Sequence, residues 1–351
     1  MTARERLGFT LRTIVSYVLY YAGVLHLLQR IVLRHKAVVL MYHRVLTPDQ
    51  RRQTASQAGL VVEDGTFARQ LDLLKRRFAV LTLDQFEERL ARRQPFDKPC
   101  CLITFDDGWV DNFNNALPVL RAYGLPAVIF LPVNFIGRRR LFTREALTHL
   151  LVRAVKVSRL EPSRRGPLGA HLATLGLERV LEIADEDPLD AVRAALQAHR
   201  YANGPAFEAL VSALSAELGV RETELSELDT FIDWTQVDRM SQQGVTFGGH
   251  GAEHHVLTQV STDVVQSEVA SSKDVLDTRL TTPVRAFAYP GGGWNADIAE
   301  TVKTSGYRLA FTIEPGPVSC DDNPFALRRV NIHEGMTGST PMFMARLTGL
   351  F

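Results

Sequence analysis

Two adjacent aspartates follow an apolar segment that has the composition of a buried strand. Residues 100–105 read Cys-Cys-Leu-Ile-Thr-Phe, and Asp106, Asp107 and Gly108 come directly after them. An ionised carboxylate is rarely buried without a partner or a metal. Because successive side chains of a strand point to opposite faces, neighbouring aspartates can act together only where the strand ends. The pair therefore predicts a site at a strand end, with one carboxylate on a metal and the other acting as a base.

A second motif supplies the nitrogen ligands that such a metal would need. Residues 244–249 read Gly-Val-Thr-Phe-Gly-Gly, which is a short strand-like run, and His250 and His254 follow it. Two imidazoles four residues apart can converge on one ion from a turn or from the first turn of a helix. Two histidines and one carboxylate are a common ligand set of catalytic zinc and leave one coordination position for water. The two motifs together predict a catalytic metal site.

Strand-like and helical segments alternate along most of the chain. Residues 37–42 predict a buried strand, residues 66–78 a helix, and residues 100–105 another strand. This order is typical of a parallel sheet or barrel covered by helices. Such folds bind ligands at the carboxyl ends of their strands, where both motifs and His43 are expected. From about residue 137 to 229 helical patterns replace the strands, which predicts a helical insertion rather than an independent domain.

The charge balance limits the classes of binding partner, and the cysteine content indicates the cellular compartment. The chain has 40 basic and 39 acidic residues and a net charge of +1, which argues against binding to nucleic acid. Three cysteines do not make a disulfide framework, and free thiols suit a reducing compartment. We therefore expect a cytoplasmic protein, with a periplasmic or exported one as the alternative. The composition indicates no protein partner.

Residues 1–36 form a separate N-terminal region with an apolar centre. Residues 13–28 carry no formal charge and have basic residues on both sides. The run is shorter than the roughly 20 apolar residues of a spanning helix, and we see no signal-peptide cleavage site after it. Its tyrosines and basic ends fit a helix in the membrane interface, on the inner face of the membrane. An amphipathic helix packed on the catalytic domain is the alternative.

The two motifs resemble the first two motifs of the polysaccharide deacetylases, the NodB-homology or carbohydrate esterase 4 family. Supporting segments occur in the order of that family: Val-Leu-Met-Tyr-His ending at His43, Phe-Ala-Tyr-Pro-Gly-Gly at 287–292, Gly-Tyr at 306–307 and Arg-Val-Asn-Ile at 329–332. The resemblance covers about residues 37 to 349, apart from the insertion. It implies that residues 37–351 form a distorted (β/α) barrel of the NodB-homology type.

The resemblance also implies an activity, which is metal-dependent removal of N-acetyl groups from amino sugars. Asp106 would be the general base, and Asp107, His250 and His254 would hold the metal. Zn²⁺ is the first expectation, with Co²⁺, Mn²⁺ or Ni²⁺ as alternatives because this ligand set accepts several ions. The substrate would be an N-acetylated polysaccharide, oligosaccharide or lipid-linked saccharide.

Two departures from the family pattern concern the groups around the base. Many members carry an arginine directly after the Phe of the third motif, where this chain has Ala288. We expect Arg329, or else Arg285, to supply that guanidinium. The C-terminal Leu-x-His motif is not clear either. His333 is therefore the candidate general acid, with a structural or solvent-facing histidine as the alternative.

Further residues are candidates for lining the substrate pocket, and these are His43, Trp109, Tyr289, Pro290 and Gly291. For His43, a satisfied core histidine is an equal alternative. Trp109 and Trp294 have the size to stack on a sugar ring, whereas large aromatic side chains more often pack in a core.

Two other functions compete with deacetylation. Residues 250–254 match the H-x-x-E-H pattern of inverted zinc metallopeptidases, in which Glu253 would be the base. That pattern needs a helix, and Gly248, Gly249 and Gly251 disfavour one. The other alternative is a catalytically silent relative that only binds saccharide. Such relatives typically lose a metal ligand or the base. This chain keeps all four of these residues, which are Asp106, Asp107, His250 and His254.

Overall fold

A computed structural model describes residues 3–199, 204–224 and 226–351. Within this part, the chain divides into two compact units. The first contains Met1–Arg51, Ala58–Ile136 and Ile232–Phe351, and the second contains Arg52–Gln57 and Gly137–Phe231. The range predicted as a helical insertion, 137–229, lies in the second unit.

The first unit is built on a nine-stranded sheet. Its strands run in the order β10-β1-β5-β6-β7-β8-β9, with β4 beside β5 and β11 beside β1, and a separate pair joins β2 to β3. Neighbouring strands of the large sheet are parallel except for β1 and β10. The strands are β1 (Lys36–Tyr42), β2 (Arg44–Leu46), β3 (Val61–Glu63), β4 (Ala79–Val80), β5 (Cys100–Phe105), β6 (Ala127–Leu131), β7 (Val245–Gly249), β8 (Ala286–Ala288), β9 (Leu309–Phe311), β10 (Val318–Ser319) and β11 (Val330–Asn331).

Helices follow most of the strands, as expected for parallel neighbours that need crossover connections. They are α1 (Ala3–Tyr21), α2 (Val24–Val32), α3 (Pro48–Gln53), α4 (Asp64–Arg77), α5 (Leu83–Ala91), α6 (Leu117–Tyr123), α7 (Thr143–Leu160), α8 (Arg165–Ala173), α9 (Leu189–Ala195), α10 (Pro205–Leu218), α11 (Trp234–Ser241), α12 (Thr262–Arg279), α13 (Ala296–Thr304), α14 (Glu334–Thr337) and α15 (Thr340–Leu347). The N-terminal region, for which we predicted one helix, contains two. The chain breaks between them at Gly23, whose φ of 77° lies in the left-handed region that favours glycine.

The sheet curls into a half-barrel, and one segment connects its two sides. Leu327 pairs with Phe311 on β9, and Val330 pairs with Leu40 on β1. Arg329 lies between these two pairings. The architecture is a distorted (β/α) barrel with both faces of its central strand covered, since every residue of β5 is buried.

Inward-facing side chains of alternate strand positions fill the barrel. The core includes Val39, Leu102, Phe130, Ala288 and Phe311, all completely buried. Because side chains in such a core interdigitate at crystal-like density, the strands have little freedom to shift. The strand ends are therefore a rigid base for functional groups.

The second unit has a helical core of its own. Leucines spaced three or four residues apart on α7, α8 and α10 pack together, and they include Leu147, Leu150, Leu151, Leu168, Leu172, Leu210 and Leu214. This spacing places them on one face of each helix.

A buried carboxylate joins residues 52–57 to the rest of the second unit. Asp229 is completely buried. It accepts hydrogen bonds from the Thr54 hydroxyl at 2.5 Å and from the Ala55 N–H at 2.8 Å, and its Oδ2 lies 2.8 Å from His149 Nε2. A sequence-distant segment is thus held by polar contacts with one side chain.

We expect Asp229→Ala to lower the free energy of unfolding by about 3 kcal/mol, because buried donors would lose their acceptor. Hydrogen exchange of the Ala55 amide should also become faster. Urea denaturation and exchange followed by mass spectrometry measure the two effects. Glu227→Ala, at an exposed position two residues away, is the control and should change stability by less than about 0.5 kcal/mol. Equal effects of both variants would contradict this account.

Candidate active site

The carboxyl ends of adjacent parallel strands bring the predicted residues together. Asp106 and Asp107 follow β5, His250 follows β7, and His43 follows β1. Backbone hydrogen bonds continue past the strand ends, from Asp106 N–H to the Tyr42 carbonyl at 2.9 Å. The cluster therefore lies on the edge of the sheet where parallel α/β folds bind their ligands.

Three side chains form a candidate metal centre. Asp107 Oδ1 lies 3.4 Å from His250 Nε2 and 3.3 Å from His254 Nε2, and the three ligand atoms all lie within 4.8 Å of one another. His250 Nδ1 is 2.7 Å from the Ala288 carbonyl oxygen. That contact requires the proton on Nδ1, so Nε2, on the side of Asp107, is the ring nitrogen that can bind a metal. One carboxylate oxygen and two imidazole nitrogens fit a divalent metal.

The ionisation of these groups is coupled. Burial favours the neutral acid of Asp107, but hydrogen bonds with His250 and His254 outweigh it and hold the pKa of Asp107 well below its usual range. Burial also opposes a charge on His250, whereas Asp106 and Asp107 together raise the pKa of His250. A negative ligand beside two imidazoles is thus favoured before any cation arrives.

Trp109 supports Asp107 rather than lining a pocket. Its Nε1–H donates to Asp107 Oδ2 at 2.9 Å, and its ring is completely buried. The guanidinium of Arg44 lies 4.4 Å from the centre of that ring and pairs with Asp111 at 2.9 Å. In this structure the buried indole of Trp109 offers no open face on which a sugar could stack.

The candidates from the third motif differ in exposure. Tyr289 is completely buried and donates its hydroxyl to the Phe325 carbonyl at 2.9 Å, and Pro290 is buried as well. Neither side chain reaches solvent in this structure. Gly291 and Trp294 are only partly buried. Trp294 stacks on Tyr289 with ring centres 6.2 Å apart and leaves an aromatic face as a candidate sugar platform.

Asp106 is held by a buried arginine. Arg329 Nη1 and Nη2 donate to Asp106 Oδ1 and Oδ2 at 2.6 and 2.7 Å, which is a bidentate pair. Burial favours the neutral acid of Asp106, but the charge of Arg329 outweighs it and lowers the pKa of Asp106. Arg329 Nε also donates to the Thr312 carbonyl at 2.9 Å.

Arg285, the alternative partner, lies elsewhere. Its guanidinium pairs with Asp84 and, at 2.9 Å, with Glu87. Both partners belong to α5. Arg329 therefore occupies the place beside Asp106 for which the sequence offered two arginines.

Two histidines complete the surroundings of the base. His43 Nε2 lies 3.9 Å from Asp106 Oδ2, and its side chain is 13% exposed. The ring nitrogens His43 Nδ1 and His333 Nδ1 are buried without a hydrogen-bond partner in the described residues. Burial, assisted by the charges of Arg346 and His43, lowers the pKa of His333 to about 4. Neither ring is satisfied by the protein alone, which leaves both able to bond a ligand.

Two of the candidate metal ligands have unusual backbone conformations. Asp107 has a φ of 75° and His254 a φ of 60°. Only two other non-glycine residues in the described chain have positive φ, and these are His35 and Arg93. Such conformations cost on the order of 1–3 kcal/mol and persist only where the surroundings enforce them. The strain is concentrated at the candidate centre.

Glu268 holds the loop that carries the histidines, and its role was not predicted from the sequence. This buried residue of α12 accepts the backbone N–H groups of Ala252 and Glu253, both at 3.0 Å, and lies 3.1 Å from His255 Nδ1. A β-carbon at Gly251 would approach Glu268 Oε2 to 2.6 Å. The available signal was a glutamate on the mainly apolar inner face of a helix.

The H-x-x-E-H alternative does not match the structure. Residues 250–256 contain no helix, and Glu253 accepts a hydrogen bond from Asn134 Nδ2 at 2.8 Å. A helix is what places both histidines and the glutamate of that pattern on one face. The geometry therefore gives no support to a metallopeptidase.

Known proteins resemble this chain in sequence and in fold. The sequence matches the profile of the family described as polysaccharide deacetylase over residues 93–157 and 190–310. YxkH of Bacillus subtilis, which carries a polysaccharide deacetylase name, is 23% identical over 305 residues, or 87% of this chain and 74% of that protein.

Two solved structures have a similar fold. The deacetylase PplD of Streptococcus pyogenes, in complex with acetate, gives a TM-score of 0.56 at 20% identity and covers 89% of this chain and 98% of its own. IcaB of Ammonifex degensii gives 0.56 at 19% identity, with coverage of 89% and 97%. These likenesses confirm the predicted fold class, the distorted barrel of the NodB-homology type.

We expect Arg329→Met to destabilise the chain by about 3–5 kcal/mol, because it leaves the Asp106 carboxylate buried without its counter-charge. The double variant Arg329→Met with Asp106→Asn should lose less stability than Arg329→Met alone, since no unpaired buried carboxylate then remains. Urea denaturation in the presence of a chelator measures both. Arg76→Met, which breaks an exposed pair with Asp72, is the control and should cost less than about 1 kcal/mol. A single variant no more costly than this control would contradict the prediction.

Proposed function

Because the chain belongs to the polysaccharide deacetylase family, we propose that it hydrolyses N-acetyl groups of amino sugars with the help of a divalent metal. One observation carries the proposal. Asp107, His250 and His254 converge on one point, and Asp106, which directly precedes Asp107 in the chain, is fixed by Arg329. A metal centre and a separate carboxylate base are what amide hydrolysis needs.

We assign the metal to Asp107 Oδ1, His250 Nε2 and His254 Nε2. Zn²⁺ is the first choice, and Co²⁺, Mn²⁺ and Ni²⁺ are alternatives, because nitrogen and carboxylate donors suit all four. When bound, the ion would polarise the acetamide carbonyl and lower the pKa of the attacking water. Trp109 and the Ala288 carbonyl orient two of the ligands from behind, which fixes the donor atoms before the ion binds.

Asp106 is the proposed general base. Its lowered pKa keeps the carboxylate ionised at neutral pH, so it can accept a proton from water. Both of its oxygens are engaged by Arg329, and this contact prevents the carboxylate from turning to the metal. The two adjacent aspartates thus have different tasks because their partners differ.

His333 is the proposed donor of a proton to the leaving nitrogen. At neutral pH its imidazole is uncharged, since its pKa is about 4. The proton that it delivers must therefore come from the reaction itself, in which Asp106 removes one from water. The charge of His43 lowers the pKa of Asp106 and also that of His333. His43 therefore interacts electrostatically with both groups.

We propose that the substrate is an N-acetylated polysaccharide, oligosaccharide or lipid-linked saccharide. The family supports an amino sugar, and the acetate bound to the Streptococcus pyogenes relative supports acetate as the acid product. Trp294 offers a partly exposed ring, held by its Nε1–H bond to Glu314 Oε1 at 3.1 Å. Such rings stack on the apolar faces of sugars.

We expect Asp106→Asn to lower the rate of acetate release by about 10²–10⁴-fold, because the general base is lost, while metal content stays unchanged. Asp107→Asn should lower both activity and metal content. Acetate is measured on N-acetylated glucosamine oligomers, and metal by mass spectrometry of the loaded protein. Asp297→Asn, at an exposed site on α13, is the control. Full activity of Asp106→Asn, or of chelated protein, would refute the proposal.

The pKa of His333 gives a pH prediction. A histidine whose pKa is lowered to about 4 is already deprotonated above pH 5, so kcat/KM should not fall between pH 6 and 8 through its titration. His333→Gln should still lower kcat by about 10²-fold if this residue delivers the proton. Rates on the same oligomers, measured with both proteins across this range, test the assignment. A decline with an apparent pKa near 6.5 that disappears in His333→Gln would contradict it.

A further inference from the structure

The first two helices expose apolar side chains to solvent, whereas an ordinary surface helix turns its apolar face to the core. On α1, Leu11, Ile14, Val18 and Tyr21 are 61%, 56%, 62% and 78% exposed. They are spaced three, four and three residues apart and so share one face of the helix. A contiguous apolar face of this kind marks an interaction site.

The second helix repeats the pattern. Val24, Leu27 and Ile31 are 36%, 59% and 61% exposed, whereas the polar Gln29 is only 5% exposed. These three side chains and the four of α1 are called the apolar face below. Burying a glutamine while exposing Leu27 and Ile31 is unfavourable in water. The arrangement therefore suits an apolar neighbour outside the chain.

The opposite side of α1 is packed, so the helix is a fixed part of the first unit. The Thr13 hydroxyl lies 3.8 Å from the sulfur of Met342 on α15, and Ser16 is 1% exposed. The apolar face is thus presented outward by contacts on the other side of the same helix.

A basic cleft lies beside these helices. It has a volume of about 580 Å³ and is lined by Tyr20, His26, Gln29, Arg30, Leu73, Arg76, Arg77 and Pro99. None of these lining residues is acidic. Arg76 pairs with Asp72 on its own helix, whereas Arg30 and Arg77 form no ion pair within the described chain. Burial and then the charges of Arg77 and Arg30 lower the pKa of His26, which places both guanidinium groups close to that ring.

No described helix is by itself both long and apolar enough to cross a bilayer. The ranges Gly8–Tyr21 and Val24–Val32 reach that length and composition only together, and they are bent by 89° relative to each other.

We propose that α1 and α2 form a docking surface for a membrane that contains anionic phospholipid. The apolar face enters the boundary between headgroups and acyl chains, and the cleft at Arg30 and Arg77 takes the phosphate of a headgroup. A second copy of the chain fits less well, because it would bring the same unpaired guanidinium groups to the contact. The surface would hold the protein on the inner face of the membrane, and it is independent of the proposed chemistry.

The test is flotation of the full-length protein with lipid vesicles, without any substrate. Vesicles of phosphatidylcholine are compared with vesicles that contain about 30% phosphatidylglycerol, at low salt and at about 0.5 M salt, where surface attraction is screened. We expect binding mainly to the anionic vesicles, and weaker binding at high salt. Leu27→Glu with Ile31→Glu should reduce binding at least about tenfold. Arg30→Glu with Arg77→Glu should remove the preference for phosphatidylglycerol.

Two matched controls address nonspecific effects. Leu160→Glu changes a leucine of α7 that is 83% exposed, and Arg239→Glu reverses an exposed charge on α11; neither should alter binding. Circular dichroism confirms that each variant is folded. The proposal is overturned if wild-type protein does not float, if it floats equally on both lipids, or if light scattering shows a dimer that Leu27→Glu dissociates. Recovery of the protein free in the periplasm would contradict its proposed location on the inner face of the membrane.

Discussion

The buried ion pair between Asp106 and Arg329 is the interaction on which the rest of the site depends. Asp106 ends the central strand, and Arg329 lies in the segment that joins the two sides of the half-barrel. The same guanidinium also reaches the Thr312 carbonyl at the end of β9. One side chain therefore neutralises the buried Asp106 carboxylate and connects three parts of the sheet. The same arginine therefore helps to close the barrel and holds the Asp106 carboxylate in place.

This arrangement explains how the chain manages without an arginine in its third motif. Ala288 occupies that position, and its backbone carbonyl accepts a hydrogen bond from His250 Nδ1–H. The guanidinium arrives from a strand that is distant in sequence but adjacent in space. A small side chain at Ala288 leaves the barrel core free for Phe130, which lies below Arg329 with its ring centre 5.6 Å from the guanidinium.

The sequence predicted the parts of the site that follow from strand geometry. A strand end fixes where Asp106 and His250 lie, and parallel neighbours bring such ends to one edge. The sequence did not predict the features of the site that depend on three-dimensional packing. Nothing local to Trp109 reveals that its ring is enclosed by Arg44, and nothing near residue 250 reveals the contribution of Glu268. For α1 and α2 the pattern predicted amphipathic character, but contacts with α15 decide which face is turned outward.

The left-handed backbone at Asp107 and His254 has a consequence for anyone who engineers this protein. Glycine would relieve the strain at either position, and any such replacement also deletes a candidate ligand. A library that is ranked by thermal tolerance alone will therefore drift toward chains that fold better and lack these candidate metal ligands. Selection must also retain Asp107 and His254, because at these two positions the residue that folds best is not the residue that keeps the candidate metal centre.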